Sequence, residues 1–263
     1  MPQVLRDLLT IYFTQAAVGE GKSDVRKLGI IGGTSWNSTA LYYDHINRQV
    51  AQRLGGLHSA RLAIESLDFE EDYARFHRVG DWSAAERVVV QAAERLKAAG
   101  AEGLLLASNT MHKSADAVAT ATGLPLVDIR EATADRITAD RRTRIALLGT
   151  RFTMTEAWAR GPYEQRGIVI QELNAEWRAE VDRIIYEELA AGRVVRDSQR
   201  KLKTLITELG KAKVQAIVLG CTELVLAVDT RANVLPVYDT TAIHARAAVD
   251  WMLGEAEQAR AAA

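Results

Sequence analysis

Cysteine is almost missing from this chain of 263 residues: Cys221 stands alone. A single thiol excludes an intrachain disulfide and a multi-cysteine metal site, and it fits a reducing compartment, so the expected location is cytoplasmic. Histidine is scarce as well, with five residues and no His-Glu-x-x-His spacing, which argues against a catalytic zinc centre. An excess of either charge is also lacking. The 33 Lys and Arg residues nearly balance the 34 Asp and Glu residues, for a formal net charge of -1. That balance supplies no electrostatic drive toward nucleic acid or an anionic membrane. The expected partner is a small molecule or a second copy of the chain.

What is present is an ordinary globular composition, 48% hydrophobic and 25% charged, long enough for two medium domains with a cleft between them. Residues 1–26 read as an N-terminal extension. Within it Leu8 to Val18 is apolar, but Asp7 precedes the run and polar residues interrupt it, against a secretory signal. The run is far too short to span a membrane. Gly21-Lys22-Ser23 imitates the end of a phosphate-binding loop, yet Ala16 stands where the first glycine belongs and no strand feeds the segment.

From Lys27 onward, short apolar runs alternate with helical periodicity, which predicts an α/β fold. Strands are expected at Leu28 to Ile31, Leu62 to Glu65, Gly103 to Ala107, Leu126 to Ile129, Ile145 to Leu148, Ile168 to Ile170, Ala216 to Leu219 and Val234 to Val237. Their continuous apolar character suits parallel strands covered on both faces. Asp81 is placed to cap a helix running to Gly100. A second helix carries Trp177, Val181, Ile184, Ile185 and Leu189 and stops near Gly192.

The chain also repeats itself. Lys27-Leu-Gly-Ile-Ile-Gly-Gly-Thr34 matches Arg144-Ile-Ala-Leu-Leu-Gly-Thr150, and Gly103-Leu-Leu-Leu-Ala-Ser108 matches Ala216-Ile-Val-Leu-Gly-Cys221, with similar spacing inside each copy. Two similar subdomains follow, each a parallel sheet flanked by helices and related by pseudo-two-fold symmetry, with an active site in the cleft between them. The expected division gives residues 27–124 plus 237–263 to the first and 125–236 to the second. Ser108 and Cys221 end equivalent strands, where open parallel sheets bind ligands. Beside helix-end amides, the thiol is expected to fall from about 8.5 toward neutrality and serve as a base. One group taking an α-proton while the other supplies a proton to the opposite face would invert a stereocentre.

Gly32-Gly33-Thr34-Ser35-Trp36, Arg53-Leu-Gly-Gly-Leu-His-Ser59, Ser108-Asn-Thr-Met-His-Lys113, Leu148-Gly-Thr-Arg-Phe-Thr-Met154, Gly220-Cys-Thr-Glu223 and Pro236-Val-Tyr-Asp-Thr-Thr-Ala-Ile-His244 together give the chain a recognisable pattern. It resembles the aspartate/glutamate racemase family, in particular bacterial amino-acid racemases with an asymmetric Thr and Cys pair. The resemblance runs from Lys27 to about Gly254. It implies pyridoxal-free racemisation of an acidic amino acid, no cofactor, no metal, and a homodimer. By position it makes Ser108 and Cys221 the catalytic acid/base pair. It makes Thr34, Ser35, Asn109, Thr110 and Thr222 substrate-binding residues. For the distal carboxylate, which needs a cation or a set of donors, Arg53 and Arg178 are the leading candidates, with Arg48 and His58 behind them.

The departure is Ser108, where the resembling group carries Thr and many members carry Cys. A serine hydroxyl is a far weaker acid than a thiol, so Cys221 is expected to abstract the proton, and the resemblance to the Thr/Cys members implies that the L-enantiomer is favoured. Two other readings remain open: a single-cysteine decarboxylase or isomerase on the same scaffold, such as an arylmalonate decarboxylase, and a catalytically silent amino-acid binder. His112 reads equally well as an orienting partner or a surface residue. His244 reads as a neighbour of the Cys221 turn, a cap or a core residue. Trp36 and Trp177 are expected in the core.

Overall fold

The computed structural model describes residues 25–254. The apolar run at Leu8 to Val18 and the Gly21-Lys22-Ser23 segment lie outside the described residues. The first half opens with β1 (Leu28–Gly32), α1 (Trp36–Leu54) and β2 (Leu62–Ser66). A π-helical turn, Phe69–Ala74, then leads into α2 (Arg75–Val79), α3 (Trp82–Ala98) and β3 (Gly103–Leu106). A 3-10 turn at Thr110–Ser114, α4 (Ala115–Thr122) and β4 (Leu126–Val127) complete the sheet. Asp81 caps α3 by accepting from the Ala84 amide, and Val89, Ala92, Ala93 and Leu96 form its buried face.

The second half repeats the strand succession with a different set of helices: α5 (Ile129–Ala139), β5 (Arg144–Gly149), α6 (Arg151–Thr155), α7 (Ala157–Glu164), β6 (Val169–Ile170) and α8 (Ala175–Arg183). A second π-helical turn, Ile184–Leu189, is followed by α9 (Arg196–Lys211) and β7 (Ala216–Gly220). A 3-10 turn at Thr222–Leu226, β8 (Val237–Asp239) and α10 (Thr240–Met252) end the described chain. The two sheets have the same strand order, β2-β1-β3-β4 and β6-β5-β7-β8, and every pairing is parallel. The internal repeat is therefore a repeat of topology as well as of sequence.

Each sheet is covered on both faces, which is why its central strands are uninterruptedly apolar. In the first, Ile31, Leu104 and Leu106 pack on α3, while Leu28, Ile30 and Leu105 pack on Tyr42, Ile46 and Val50 of α1. In the second, Ala146, Leu148, Ile217 and Leu219 pack against α8, the second π-helical turn and α9. β2 is an edge strand and only half buried, unlike the expectation of full coverage.

The halves exchange one helix each. α5 follows the first sheet yet buries Ala134 and Ile137 against Ile145 and Leu147 of the second; α10 follows the second yet buries Ala245, Ala248 and Val249 against Leu28 and Ile30 of the first. Both exchanged helices begin on a capping aspartate, Asp128 or Asp239, whose carboxylate accepts from the next two free amides. The expected subdomain boundaries therefore need correction by one strand. β4 hydrogen-bonds to β3 and belongs to the first sheet, and β8 hydrogen-bonds to β7 and belongs to the second, so the chain crosses over after these short edge strands. The last strand also starts later than expected, since Val234 is exposed and pairing begins at Val237.

Candidate active site

In each sheet the chain leaves the two central strands toward opposite edges, and such switch points leave a crevice at the carboxyl ends of the strands. The turns after β1, β3, β5 and β7 all meet at one small cavity. Thr34, Ser108, Thr150 and Cys221 reach it from those four turns. Close backbone approach makes this possible. A side chain at Gly33, where φ is +88°, would place its Cβ 2.0 Å from the Leu67 carbonyl oxygen, and one at Gly149 would stand 2.7 Å from the Gly220 carbonyl.

Hydroxyls and one amide stitch the halves together around this cavity. Thr110 Oγ1 lies 3.2 Å from Thr150 Oγ1, and Asn109 Nδ2 donates to Thr240 Oγ1 at 3.2 Å. Ser38 of α1 sits 2.6 Å from Thr222 Oγ1 and 3.0 Å from Glu223 Oε1. The opposite wall is apolar and aromatic, built from the two π-helical turns: Phe69 and Tyr73 on one side, Ile185 and Tyr186 on the other. π-Helical turns recur at functional sites because they re-aim side chains within a helix.

Of the expected residues, Thr34, Ser108, Asn109, Thr110, Cys221 and Thr222 line the cavity. Ser35 does not. It is the N-cap of α1, accepting from the Ser38 amide at 3.3 Å. Arg53 is held in an ion pair with Asp250 at 2.5 Å, away from the cavity. Arg178 faces Glu172 at 3.7 Å on α8. Arg48 is paired with Asp44 on the surface of α1, and His58 is exposed. Among the described lining residues there is no Lys, Arg or His. A distal carboxylate in this cavity would have hydroxyl and amide donors as its partners, in place of the expected arginines.

The thiol's environment also differs from expectation. Cys221 is 8% exposed, and its Sγ donates to Glu223 Oε2 at 3.0 Å. Burial, and then the adjacent Glu223 charge, push the thiol well above its ordinary value. A backbone amide hydrogen bond does act in the lowering direction, as helix-end reasoning anticipates, but it is outweighed. The following helix is a single 3-10 turn, too short to build a strong dipole. The resting sulfur is a protonated thiol facing a carboxylate. Glu223 was present in the Gly220-Cys-Thr-Glu223 motif, but sequence reasoning passed over it; its adjacency to the only cysteine was the available signal.

The remaining candidates resolve as supports. His112 is buried, with Nδ1 2.8 Å from the Ser108 carbonyl oxygen and Nε2 accepting from the Ile129 amide at 3.2 Å. An amide can only donate, so the Nδ1–H tautomer is fixed and the ring braces the Ser108 turn. His244 lies in the core, with Nδ1 2.8 Å from the Tyr42 hydroxyl and Nε2 2.8 Å from the Val127 carbonyl. Trp177 packs against the second core, whereas Trp36 is 72% exposed, contrary to its expected core role. Lys113 lies over the Trp82 ring, 4.7 Å from its centroid, and pairs with Glu156.

Two duplicated α/β halves share a cavity at their strand ends, furnished with a thiol, a carboxylate and hydroxyls, the arrangement of an α/β enzyme with a small-molecule site. The sequence model of the Asp/Glu/hydantoin racemases matches residues 31–248, and the chain belongs to that family. It is similar to a candidate Asp/Glu racemase from Yersinia pestis, with 44% identity, coverage of 87% of this chain and 99% of that one, and a TM-score of 0.80. It is also similar to an aspartate racemase homologue from Pyrococcus horikoshii, at 32% identity, 86% and 99% coverage, and a TM-score of 0.73. An aspartate racemase from Picrophilus torridus shares the fold at 16% identity, with 86% and 94% coverage and a TM-score of 0.68. No described helix is long and apolar enough to cross a membrane.

Proposed function

We propose that the chain racemises an amino acid without a cofactor, through proton transfer at Cys221 on one face of the α-carbon and Ser108 on the other. The observation that carries this reading is that these two residues end equivalent strands, β3 and β7, and border the same cavity. Opposed acid/base groups are what inversion at carbon requires. Binding a substrate ammonium beside the sulfur favours the thiolate, because a nearby positive charge stabilises the anionic form. Glu223 is in place to accept the thiol proton. The thiolate then takes the α-hydrogen as a proton, Ser108 gives its hydroxyl proton to the opposite face of the carbanion, and solvent reprotonates the serine oxygen as Glu223 gives up its proton. Asn109, Thr110 and Thr222 offer donors and acceptors for the α-carboxylate and ammonium.

The substrate class we assign is an acidic amino acid, aspartate or glutamate. The names borne by the similar proteins support it, and so do the hydroxyl donors, which can hold a second carboxylate without a cation. The asymmetry of the pair favours one enantiomer, and by analogy to the resembling Thr/Cys racemases we take the form deprotonated by Cys221 to be the L-enantiomer. A homodimer is part of the same reading. The test is incubation of D- and L-aspartate and D- and L-glutamate in deuterium oxide, with α-proton loss followed by NMR. Faster exchange from the L-form is expected. Equal initial rates from both enantiomers would sink the asymmetric assignment, and saturable binding with no exchange would turn the reading into that of a silent binder. Carbon dioxide release from an arylmalonate would favour the single-cysteine decarboxylase instead.

A further inference from the structure

Glu223 is carried by the second half, but what holds it in place comes from the first. Ser38, 2% exposed on α1, is within hydrogen-bond reach of both Glu223 Oε1 and Thr222 Oγ1. Thr222 donates in turn to Glu223 Oε2 at 2.9 Å, on the oxygen that also faces the Cys221 sulfur. Ser38 has one hydroxyl proton, so it either donates to the carboxylate directly or does so through Thr222. In the first arrangement two hydroxyls and the thiol hold the carboxylate; in the second Thr222 and the thiol hold it, with Ser38 orienting Thr222.

The duplicated fold allows this contact to be compared with the corresponding region of the other copy. Two positions beyond Ser108 stands Thr110, which meets Thr150 at the start of α6 in the other half. Two positions beyond Cys221 stands Glu223, which meets Ser38 near the start of α1 in the other half. The same pair of turns thus meets in both copies, through the helix cap Thr150 in one and through Ser38, the counterpart of Thr153, in the other. Only the second copy's contact has a carboxylate in it.

We infer that Ser38 is a positioning residue: its hydroxyl, reaching across from the first half, holds the Glu223 carboxylate against the Cys221 sulfur, so that the thiol's proton acceptor is in place only when the halves are docked. In the transfer the S–H bond breaks and an O–H bond forms on Oε2, leaving the electron pair on sulfur. The inference rests on Cys221 being the acid/base group and is indifferent to the substrate. Other ionisable groups facing the sulfur are Asp182 of α8 and Tyr186 of the second π-helical turn. Ser38 meets Glu223 Oε1 and Thr222 Oγ1, so a change at Ser38 reaches the thiol through the Glu223 carboxylate.

Because Cys221 is the lone cysteine, its titration can be read directly from the rate of iodoacetamide alkylation against pH, on the full chain, by intact-mass spectrometry. Glu223→Gln removes a charge and a hydrogen bond that hold the proton on sulfur. The midpoint should fall by at least about one unit, a roughly tenfold gain in thiolate below the midpoint. Ser38→Ala should move the midpoint in the same direction, since the carboxylate is released. Ser38→Thr, which keeps the hydroxyl, should return the parent profile, and Thr153→Ala, the symmetric position on α6, should leave it unmoved. A Ser38→Ala profile that superimposes on the parent while Glu223→Gln shifts would reduce Ser38 to a packing residue and overturn the inference. So would a shift in Ser38→Ala that persists undiminished in the Glu223→Gln background. Alkylation requires no turnover, so these results stand apart from whether any amino acid is racemised.

Discussion

Acidification should destabilise this protein through His244 well before its carboxylates titrate. The ring is fully buried where α10 meets α1 and β4, and burial lowers it from 6.5 to about 3. Its neighbour His112, with ring centroids 5.6 Å apart, acts in the same direction. Between these two values the unfolded chain binds a proton that the folded chain refuses. Stability is therefore full above about pH 7 and declines as pH falls toward 3. At pH 5 the single-group loss is about 2 kcal/mol, from the proton occupancy of an unfolded histidine one and a half units below its pKa, at 1.36 kcal/mol per unit. Urea unfolding at pH 7.5 and pH 5 should show that loss in the parent. His244→Asn will change the absolute stability, but it should remove about 2 kcal/mol from the difference between the two pH values. An unchanged difference in the variant would refute the assignment of a neutral, buried His244.

Cys221→Ala should lower α-proton exchange from the L-substrate by about 10²- to 10⁴-fold, the range for loss of a general base, measured by NMR in deuterium oxide. Ser108→Ala should depress inversion, followed by circular dichroism, more than it depresses exchange; the reverse order would mean the roles are exchanged. Gly33→Ala should cost roughly 1–3 kcal/mol from its positive φ alone, with more from the collision at Leu67, and should lower activity by displacing Thr34. Arg53→Ala should leave KM unchanged, because Arg53 is engaged with Asp250; a large rise in KM would return it to the substrate site.

The residues that made the fold legible were those whose local preferences agreed with their tertiary surroundings. Leu104 to Leu106 and Ile217 to Leu219 are apolar because both faces of their strands are covered, and the cap at Asp81 and the stop at Gly192 are decided by backbone amides and a positive φ close at hand. The crossover points were less legible. Leu126–Val127 and Val237–Asp239 are too short to declare a sheet by periodicity, and what assigns them is hydrogen bonding to β3 and β7. Within the site, strand-end position identified Ser108 and Cys221 as neighbours of one cavity, since that depends on topology. The arginines were misplaced because charge type alone cannot say whether a guanidinium meets a ligand or, as with Arg53 and Asp250, another helix. The direction of the thiol's shift was missed for a related reason. It depends on desolvation and on the Glu223 rotamer, and a sequence records neither.

The two copies end in equivalent strands, and under the proposed reading the differences between them point the chemistry one way. Ser108-Asn109-Thr110 aligns with Cys221-Thr222-Glu223, so the half with the weaker acid also lacks the carboxylate that would take its proton. A hydroxyl without a local base can return a proton to a carbanion more readily than it can remove one from carbon, whereas a thiol beside a carboxylate can do both. Restoring symmetry should therefore take two changes. Ser108→Cys alone supplies a thiol with Thr110, not a carboxylate, at the position equivalent to Glu223, and it should raise exchange from the D-enantiomer only partly. Adding Thr110→Glu places a carboxylate at the position equivalent to Glu223, and D-exchange should then approach the L-rate. If Ser108→Cys alone equalised the two rates, the carboxylate would have no part in activating either thiol, and the acid's identity would account for the asymmetry.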